Sequence, residues 1–212
     1  MISNIIIDAL PYSVIIDGQE VEIDTDFRSM MITEMLLQDA SISKEDRVAQ
    51  ALFNFYRENV PFWNISEAVE KFLWFYRCGE PEEVNKRSSG TAGRNKRIYD
   101  FEYDANLIYA AFLKQYRIDL QDIECLHWWK FKAMFNSLQD CLFTEVMQCR
   151  AIKLTKNMSK EQKAYYQRMK SMYSLPDGKG ITESRKEKEL IAALQSGDVS
   201  AVESLKRGGY GT

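Results

Sequence analysis

The sequence predicts a mainly α-helical fold, a multi-helix domain that carries a short N-terminal β-hairpin. In most of the chain, apolar residues recur every three or four positions, and several such segments begin at a residue suited to cap a helix. Near the N-terminus, two short β-prone runs flank an Asp-Gly pair, which is typical of a hairpin. The apolar fraction of 45% is high enough for a packed core.

The predicted hairpin joins residues 12–16 to residues 19–23 through Asp17 and Gly18. Asp-Gly is a preferred pair for a tight two-residue turn, and the second run alternates apolar residues with glutamates. A hairpin alone is only marginally stable in water. We therefore expect it to pack on the helices or to pair with another strand.

Three helices are predicted before the middle of the chain, each starting from a capping residue. Asp26 precedes a helix over residues 27–38, and Ser43 begins a second helix with acidic residues in its first turn. Ser66 is the predicted cap of a third helix, which is rich in aromatic residues and closes at a glycine. The simplest interpretation of these large side chains is that they form the core.

Residues 80–97 contain Pro, Ser, Gly and charged residues and almost nothing to bury, so they predict a flexible surface loop. After this loop, Asp100, Glu102 and Asp104 alternate in a way that places them on one side of a strand. We interpret them as an exposed acidic edge rather than a metal site, because no second acidic cluster complements them. Asp104 also precedes a predicted helix over residues 105–116.

Residues 118–142 predict the central core helix. One apolar stripe at helical spacing contains Leu120, Ile123, His127, Phe131, Met134, Phe135, Leu138 and Leu142. Trp128 lies at the edge of this stripe and Trp129 faces the opposite side, so we expect other elements to sandwich the helix. Either a second layer of helices or a partner should bury Trp129, which makes it a candidate partner-binding residue. We expect His127 to be structural, because it falls within the apolar stripe.

The segment after Ser159 predicts a helix with one apolar face beside basic residues. That face consists of Tyr165, Tyr166, Met169, Met172 and Tyr173. Met and aromatic residues at this spacing are most often core, but they also suit docking of a partner helix or stacking of nucleobases. Both interpretations stay open, and the five residues are candidate partner-binding residues.

A Pro-Asp-Gly-Lys-Gly break divides the chain into two predicted parts. Residues 1–175 predict the folded helical body, and residues 176–212 predict a semi-detached, basic helical arm used for recruitment. The arm contains a short amphipathic helix, which needs a surface because isolated helices of this length rarely persist. Its candidate partner-binding residues are Leu190, Ile191 and Leu194.

The net charge of -3 is distributed unevenly along the chain. Residues 1–79 carry thirteen acidic and six basic residues, whereas residues 150–212 carry seven acidic and thirteen basic residues. A basic end on an acidic body suits nucleic acid, and it equally suits an acidic protein surface, including the N-terminal half of this chain.

Several functional classes find no support in the sequence. No apolar run reaches the roughly 18 residues of a membrane helix, and the N-terminus does not resemble a signal peptide, so we expect an intracellular protein. The four cysteines show no C-x-x-C pairing, and with a single histidine a zinc site is not expected. No catalytic motif surrounds His127. We therefore expect a protein without metal, cofactor or enzymatic activity.

Two motifs carry a resemblance to a known family: Tyr-Asp-Phe-Glu-Tyr-Asp at residues 99–104 and His-Trp-Trp-Lys-Phe at residues 127–131. Over residues 8–175 the sequence resembles the bacteriophage "gene product fifteen" family, small proteins of long-tailed phages and prophages of Gram-positive bacteria. The family has no established catalytic residues to carry over. Its genes typically lie near the tape-measure gene, which implies a tail assembly chaperone in the cytoplasm of the bacterial host.

The resemblance implies the tape-measure and tail-tube proteins as partners, and it leaves a homo-oligomer open. Two alternatives remain: a structural tail component retained in the virion, and a nucleic-acid-binding or regulatory protein that uses the basic C-terminal quarter. Mass spectrometry of purified virions separates the first alternative from a chaperone. A steep loss of DNA affinity with salt would favour the second, although nucleic acid and membrane are not the expected partners.

Overall fold

The computed structural model describes residues 4–39, 41–80 and 97–176. This part of the chain is mainly α-helical with an antiparallel two-stranded hairpin, which confirms the predicted fold class. Its elements are β1 (Ser13–Ile16), β2 (Gln19–Glu22), α1 (Phe27–Gln38), α2 (Lys44–Tyr56), α3 (Ile65–Tyr76), α4 (Ala105–Tyr116), α5 (Trp128–Asn136), α6 (Leu142–Ala151) and α7 (Lys160–Met172). Residues 4–38, 42–80 and 97–175 belong to one compact unit.

Two predictions fall mostly or wholly outside the described residues. The predicted loop 80–97 includes residues 81–96, and the predicted arm 176–212 includes Leu190, Ile191 and Leu194. Both stay predictions.

The hairpin forms as the Asp-Gly pair predicts. Asp17 and Gly18 have φ angles of 49° and 76°, so both residues of the turn lie in the left-handed region. Val14 pairs with Val21 across the strands, and both are buried together with Ile16. One face of the hairpin therefore packs on the core, which supplies the stability that an isolated hairpin lacks.

Helices α1, α2 and α3 each begin at a side chain that accepts a backbone N–H. Asp26 accepts from Arg28 at the start of α1, and Ser43 caps α2. The predicted cap of α3, Ser66, is wrong: Asn64 caps this helix, and Ser66 lies inside its first turn. Here Phe62–Asn64 forms a short 3-10 turn, which places Asn64 ahead of the helix.

The predicted central helix over residues 118–142 is wrong, because α5 covers only Trp128–Asn136. The backbone just before α5 bonds instead to the segment that precedes α1. Phe27 N–H donates to the Leu126 carbonyl at 2.9 Å, and Trp128 N–H donates to the Thr25 carbonyl at 2.7 Å. This pairing uses groups that a continuous helix would need for its own hydrogen bonds.

Helix α5 nevertheless lies at the centre of the core. Phe131 stacks between Phe27 of α1 and Phe112 of α4, with ring centroids 5.0 Å apart on each side. All three rings are buried, at 4% exposure or less. Offset aromatic pairs contribute about 0.5–1.5 kcal/mol beyond their burial. The stack therefore joins three helices through one side chain of α5.

The two tryptophans attach α5 to the C-terminal end of α3. The Trp128 indole N–H donates to the Tyr76 carbonyl at 3.1 Å, and the Trp129 indole N–H donates to the Phe75 carbonyl at 2.9 Å. The two tryptophans are 0% and 2% exposed. A second layer of helices thus buries Trp129, which is one of the two alternatives that the sequence predicted. We assign Trp129 to the core and remove it from the candidate partner-binding residues.

His127 caps the N-terminus of α5 and ties it to the segment before the hairpin. Its Nδ1 accepts from Trp129 N–H at 3.1 Å, which leaves the ring proton on Nε2 to donate to the Pro11 carbonyl, also at 3.1 Å. The ring makes both bonds together only when it is neutral, because Nδ1 must be unprotonated to accept. Burial lowers the pKa of His127 below its usual value; the bond to the Pro11 carbonyl opposes this shift, and nearby Lys130 adds to it.

We expect His127 to make stability depend on pH. Because its pKa is lower in the folded chain, only the unfolded chain takes up a proton as the pH falls below about 6.5, and the free energy of unfolding decreases there. The contribution is at most about 1.4 kcal/mol per pH unit. His127→Asn keeps a capping oxygen and lacks the titration. Urea unfolding at about pH 7.5 and about pH 5.5 should show a smaller loss in the variant. An equal loss in both proteins would contradict the role assigned to His127.

Candidate partner-binding surface

Helix α7 lies at the surface of the described chain and contains no fully buried residue. Ser159 and Gln162 form a capping box at its start, which confirms the predicted helix start at Ser159. The helix packs on α6. Because its inner side is only half-buried, its position depends on few contacts, and its apolar residues remain partly accessible.

The structure brings the five candidate residues of this helix together in two rows. We call Tyr165, Tyr166, Met169, Met172 and Tyr173 the α7 face. Tyr166, Met169 and Tyr173 are half-buried toward α6, whereas Tyr165 and Met172 are 56% and 59% exposed. The rings of Tyr165 and Tyr166 meet edge to face, with centroids 5.2 Å apart. Because Tyr165 and Met172 are this exposed, the outer row of the α7 face is not part of a closed core.

A groove of about 290 Å³ runs between α6 and α7. It is lined by Leu142, Glu145, Gln148, Cys149, Ile152, Tyr165, Tyr166, Met169 and Tyr173. At its open edge, Leu142 is 51% exposed. Leu142 was predicted to lie on the stripe of the central helix, and instead it begins α6 and borders this groove.

A buried ion pair holds the two walls of the groove in place. Arg150 of α6 donates two hydrogen bonds to the Asp104 carboxylate, at 2.6 and 2.9 Å. It also donates to the carbonyl of Tyr173 at 2.6 Å and to that of Ile98 at 3.0 Å. The side chain of Arg150 is 8% exposed and that of Asp104 is 3% exposed. One guanidinium therefore connects α6, the end of α7 and the start of α4.

The same contacts correct the predicted acidic edge. Residues 99–103 are not a strand, and Asp100 and Asp104 are buried at 7% and 2% exposure. Asp100 accepts backbone N–H groups from Glu102 and Tyr103, and Asp104 accepts one from Asp100. These carboxylates are structural: both fold the turn before α4, and Asp104 also holds Arg150. Only Glu102 remains exposed.

The positive charge of the C-terminal quarter is concentrated on α7 and on the segment before it. Residues 150–176 carry seven basic residues and one acidic residue, whereas residues 177–212 carry six of each. The prediction that the arm itself is basic is therefore corrected. At helical spacing, Lys163 and Lys170 lie at one edge of the α7 face and Arg168 at the other. The α7 face is thus apolar with three basic residues at its edges, and one acidic residue, Glu161, lies at the edge with Arg168.

A second exposed apolar surface was not predicted. Phe53 of α2 meets Phe62 of the following 3-10 turn, with ring centroids 6.2 Å apart, and Trp63 follows directly. These three residues, which we call the corner surface, are 52%, 67% and 56% exposed. The sequence offered one signal for this surface, the aromatic pair directly after Pro61. The pair lies between two helices, so helical spacing could not assign it to a face.

A cleft of about 540 Å³ lies beside the hairpin, and two ion pairs lie in it. Asp24 accepts hydrogen bonds from Ser29 at 2.6 Å and from Arg57 at 2.7 Å. Asp26 interacts with Arg28 at 3.4 Å. Within residues 4–39, 41–80 and 97–176, no three His, Cys, Asp or Glu side chains converge on a possible metal position. These charges therefore stabilise the chain around the start of α1.

No helix among the described residues is both long and apolar enough to cross a membrane. The described residues form a mainly helical protein with an exposed apolar corner surface and an exposed apolar α7 face that is edged by basic residues. The chain belongs to the bacteriophage Gp15 family, since the family model described as "Bacteriophage Gp15 protein" matches residues 6–175. No curated protein and no solved structure matches the chain. The family match confirms the resemblance inferred from the two sequence motifs.

We expect Arg150→Met to destabilise the chain by about 3–5 kcal/mol, because it leaves the Asp104 carboxylate buried without its partner. The double variant Asp104→Asn/Arg150→Met should recover part of this loss. Hydrogen exchange should also show faster opening of α7 in Arg150→Met, since the bond to the Tyr173 carbonyl is lost.

The control is Arg168→Met, which removes an exposed charge from α7 and should change stability by no more than about 0.5 kcal/mol. Chemical unfolding measures all three variants. An Arg150→Met variant as stable as Arg168→Met would contradict the structural role of the pair.

Proposed function

We propose that this phage protein acts without enzymatic activity as a tail assembly chaperone in the cytoplasm of the bacterial host. Its partners would be the tape-measure protein and the tail-tube protein, as the family resemblance implies. A tape-measure protein is long and largely helical, and it must stay soluble until tube subunits surround it. A chaperone for it needs a surface that accepts the apolar sides of helices.

The observation that carries this proposal is the outer row of the α7 face. Tyr165 and Met172 are more than half exposed, and directly beside them the α6–α7 groove is lined by further apolar side chains. Met side chains are unbranched and adapt to differently shaped partners. Tyrosine adds a large contact area together with a hydroxyl that can remain hydrated. This combination suits a helix that lays its apolar side into the groove.

The charges at the edges of the α7 face indicate which helices would bind best. Lys163, Lys170 and Arg168 flank its apolar residues, so a helix with acidic residues beside its apolar side would be favoured. The basic edges would accelerate association and discriminate against basic helices. The predicted arm, with Leu190, Ile191 and Leu194, would contribute separately by recruiting tail-tube subunits.

A second candidate is binding of single-stranded nucleic acid. It is favoured by tyrosines beside basic residues on α7, since bases stack on aromatic rings and phosphates pair with cations. Against it, the described residues 4–39 and 41–80 carry fourteen acidic and six basic residues, which would repel phosphates. We therefore rank it below helix binding.

The proposal is tested by co-expressing the tape-measure protein of the same phage with this chain in bacteria. We expect wild-type protein to increase the soluble fraction of the tape-measure protein and to copurify with it. Tyr165→Ser/Met172→Ser should lose most of both effects, because it removes the exposed apolar row while leaving the core unchanged.

A matched control is Ile32→Ser/Val48→Ser, which removes two exposed apolar residues from α1 and α2, at 57% and 43% exposure. This control should behave as wild type. Circular dichroism must show that both variants fold. Equal copurification of the α7 variant and the control would overturn the assignment of the α7 face to the partner.

A further inference from the structure

We infer that copies of this chain associate head to tail, with the α7 face of one copy bound to the corner surface of the next. Such a contact joins two different surfaces, so each copy offers one surface to each neighbour. The inference goes beyond the proposed function and does not depend on the tape-measure protein as the client. It does use the same α7 face, so self-association would also cover this face before a client arrives.

The corner surface is displayed by a rigid part of the chain. Val60 and Pro61 are buried directly before it, and Asn64 caps α3 directly after it. The short 3-10 turn between these anchors projects Phe62 and Trp63 into solvent. Aromatic residues held in this way lose little conformational entropy on binding, and tryptophan is enriched among residues that dominate interface energies.

The surroundings of the corner surface are acidic. Asn64, next to Trp63, donates to the Asp17 carboxylate at 3.0 Å and to the Glu67 carboxylate at 3.2 Å. Asp17 N–H donates to Glu67 at 3.0 Å, so the hairpin turn brings a second carboxylate to the start of α3. Among the residues that the structure describes, one base is paired with this group, Lys71 at 3.8 Å from Glu67. Two carboxylates thus bond to Asn64, the residue that follows the exposed tryptophan.

The α7 face has the complementary character. Its exposed Tyr165 and Met172 supply apolar area, and Lys163, Lys170 and Arg168 supply positive charge at its edges. Opposite charges meet when the two surfaces pair, and a lysine or arginine of α7 can also lie over the Trp63 ring. A symmetric contact, which joins the same surface of two copies, lacks this charge complementarity. Two α7 faces would bring cations together, and two corner surfaces would bring carboxylates together.

The two surfaces do not cover each other within one copy. Helix α7 packs on α6, whereas the corner surface belongs to α2 and the turn before α3, and the residues of both surfaces are exposed in the same chain. Only a second copy can therefore join them. A head-to-tail contact either closes into a ring or continues into a chain of copies, and the product is larger than a simple dimer when both surfaces are used.

Light scattering after size-exclusion chromatography gives the first test. Wild-type protein should show an average mass that increases with concentration to a dimer or more and decreases with added salt, because the contact is partly electrostatic. Trp63→Ser and, separately, Tyr165→Ser should each weaken association at least about tenfold. Ile32→Ser serves as the matched control and should behave as wild type. A monomer at every concentration would overturn the inference.

A cross-linking experiment tests the arrangement of the copies. In a Cys78→Ser/Cys125→Ser/Cys149→Ser background, which removes the native cysteines that are not buried, including Cys149 in the α6–α7 groove, one protein carries Ser66→Cys beside the corner surface and another carries Glu161→Cys beside the α7 face. A short bis-maleimide should link the two proteins when they are mixed and should link neither protein to itself. Linked pairs in a sample of one variant alone would show a symmetric contact. The absence of a link in the mixture would show that the corner surface does not bind the α7 face of a second copy. Either result would overturn the head-to-tail arrangement.

Discussion

The arrangement of the described helices depends on how α5 begins. The backbone on either side of His127 bonds to the segment before α1, and the His127 ring joins the first turn of α5 to Pro11. These contacts fix the start and direction of α5. From that position its two tryptophans reach carbonyls at the end of α3, and Phe131 enters the stack with Phe27 and Phe112. A buried ring that must remain neutral thus underlies the packing of α1, α3 and α4 around α5.

Local sequence signals predicted the elements whose geometry is itself local. The hairpin followed from Asp17 and Gly18, and α1 followed from Asp26, because a turn or a cap is decided by neighbouring residues. The central helix failed for the opposite reason. Helical spacing cannot reveal that residue 126 bonds to residue 26, 100 positions away. The buried pair of Asp104 and Arg150, separated by 46 residues, was likewise invisible in an alternating acidic pattern.

The candidate surface was predicted in part. Helical spacing identified the residues of the α7 face, but spacing alone cannot say whether an apolar face is covered, and only the structure shows that Tyr165 and Met172 are exposed. The corner surface was missed because Phe62 and Trp63 lie in a short turn, where the orientation of side chains depends on buried neighbours. The charge count over residues 150–212 as a whole also hid the concentration of basic residues on α7 and the segment before it, next to the groove that Arg150 stabilises.

We propose that the exposed α7 face acts in the assembly of phage tails. The most direct measurement is complementation of a phage that lacks this gene, with tails counted by electron microscopy. Wild-type protein should restore tails. Tyr165→Ser/Met172→Ser should accumulate to the same level in infected cells and yield few or none, because the core around α5 is untouched and only the exposed row is lost. Normal tail numbers with this variant would contradict the assignment of the α7 face to tail assembly.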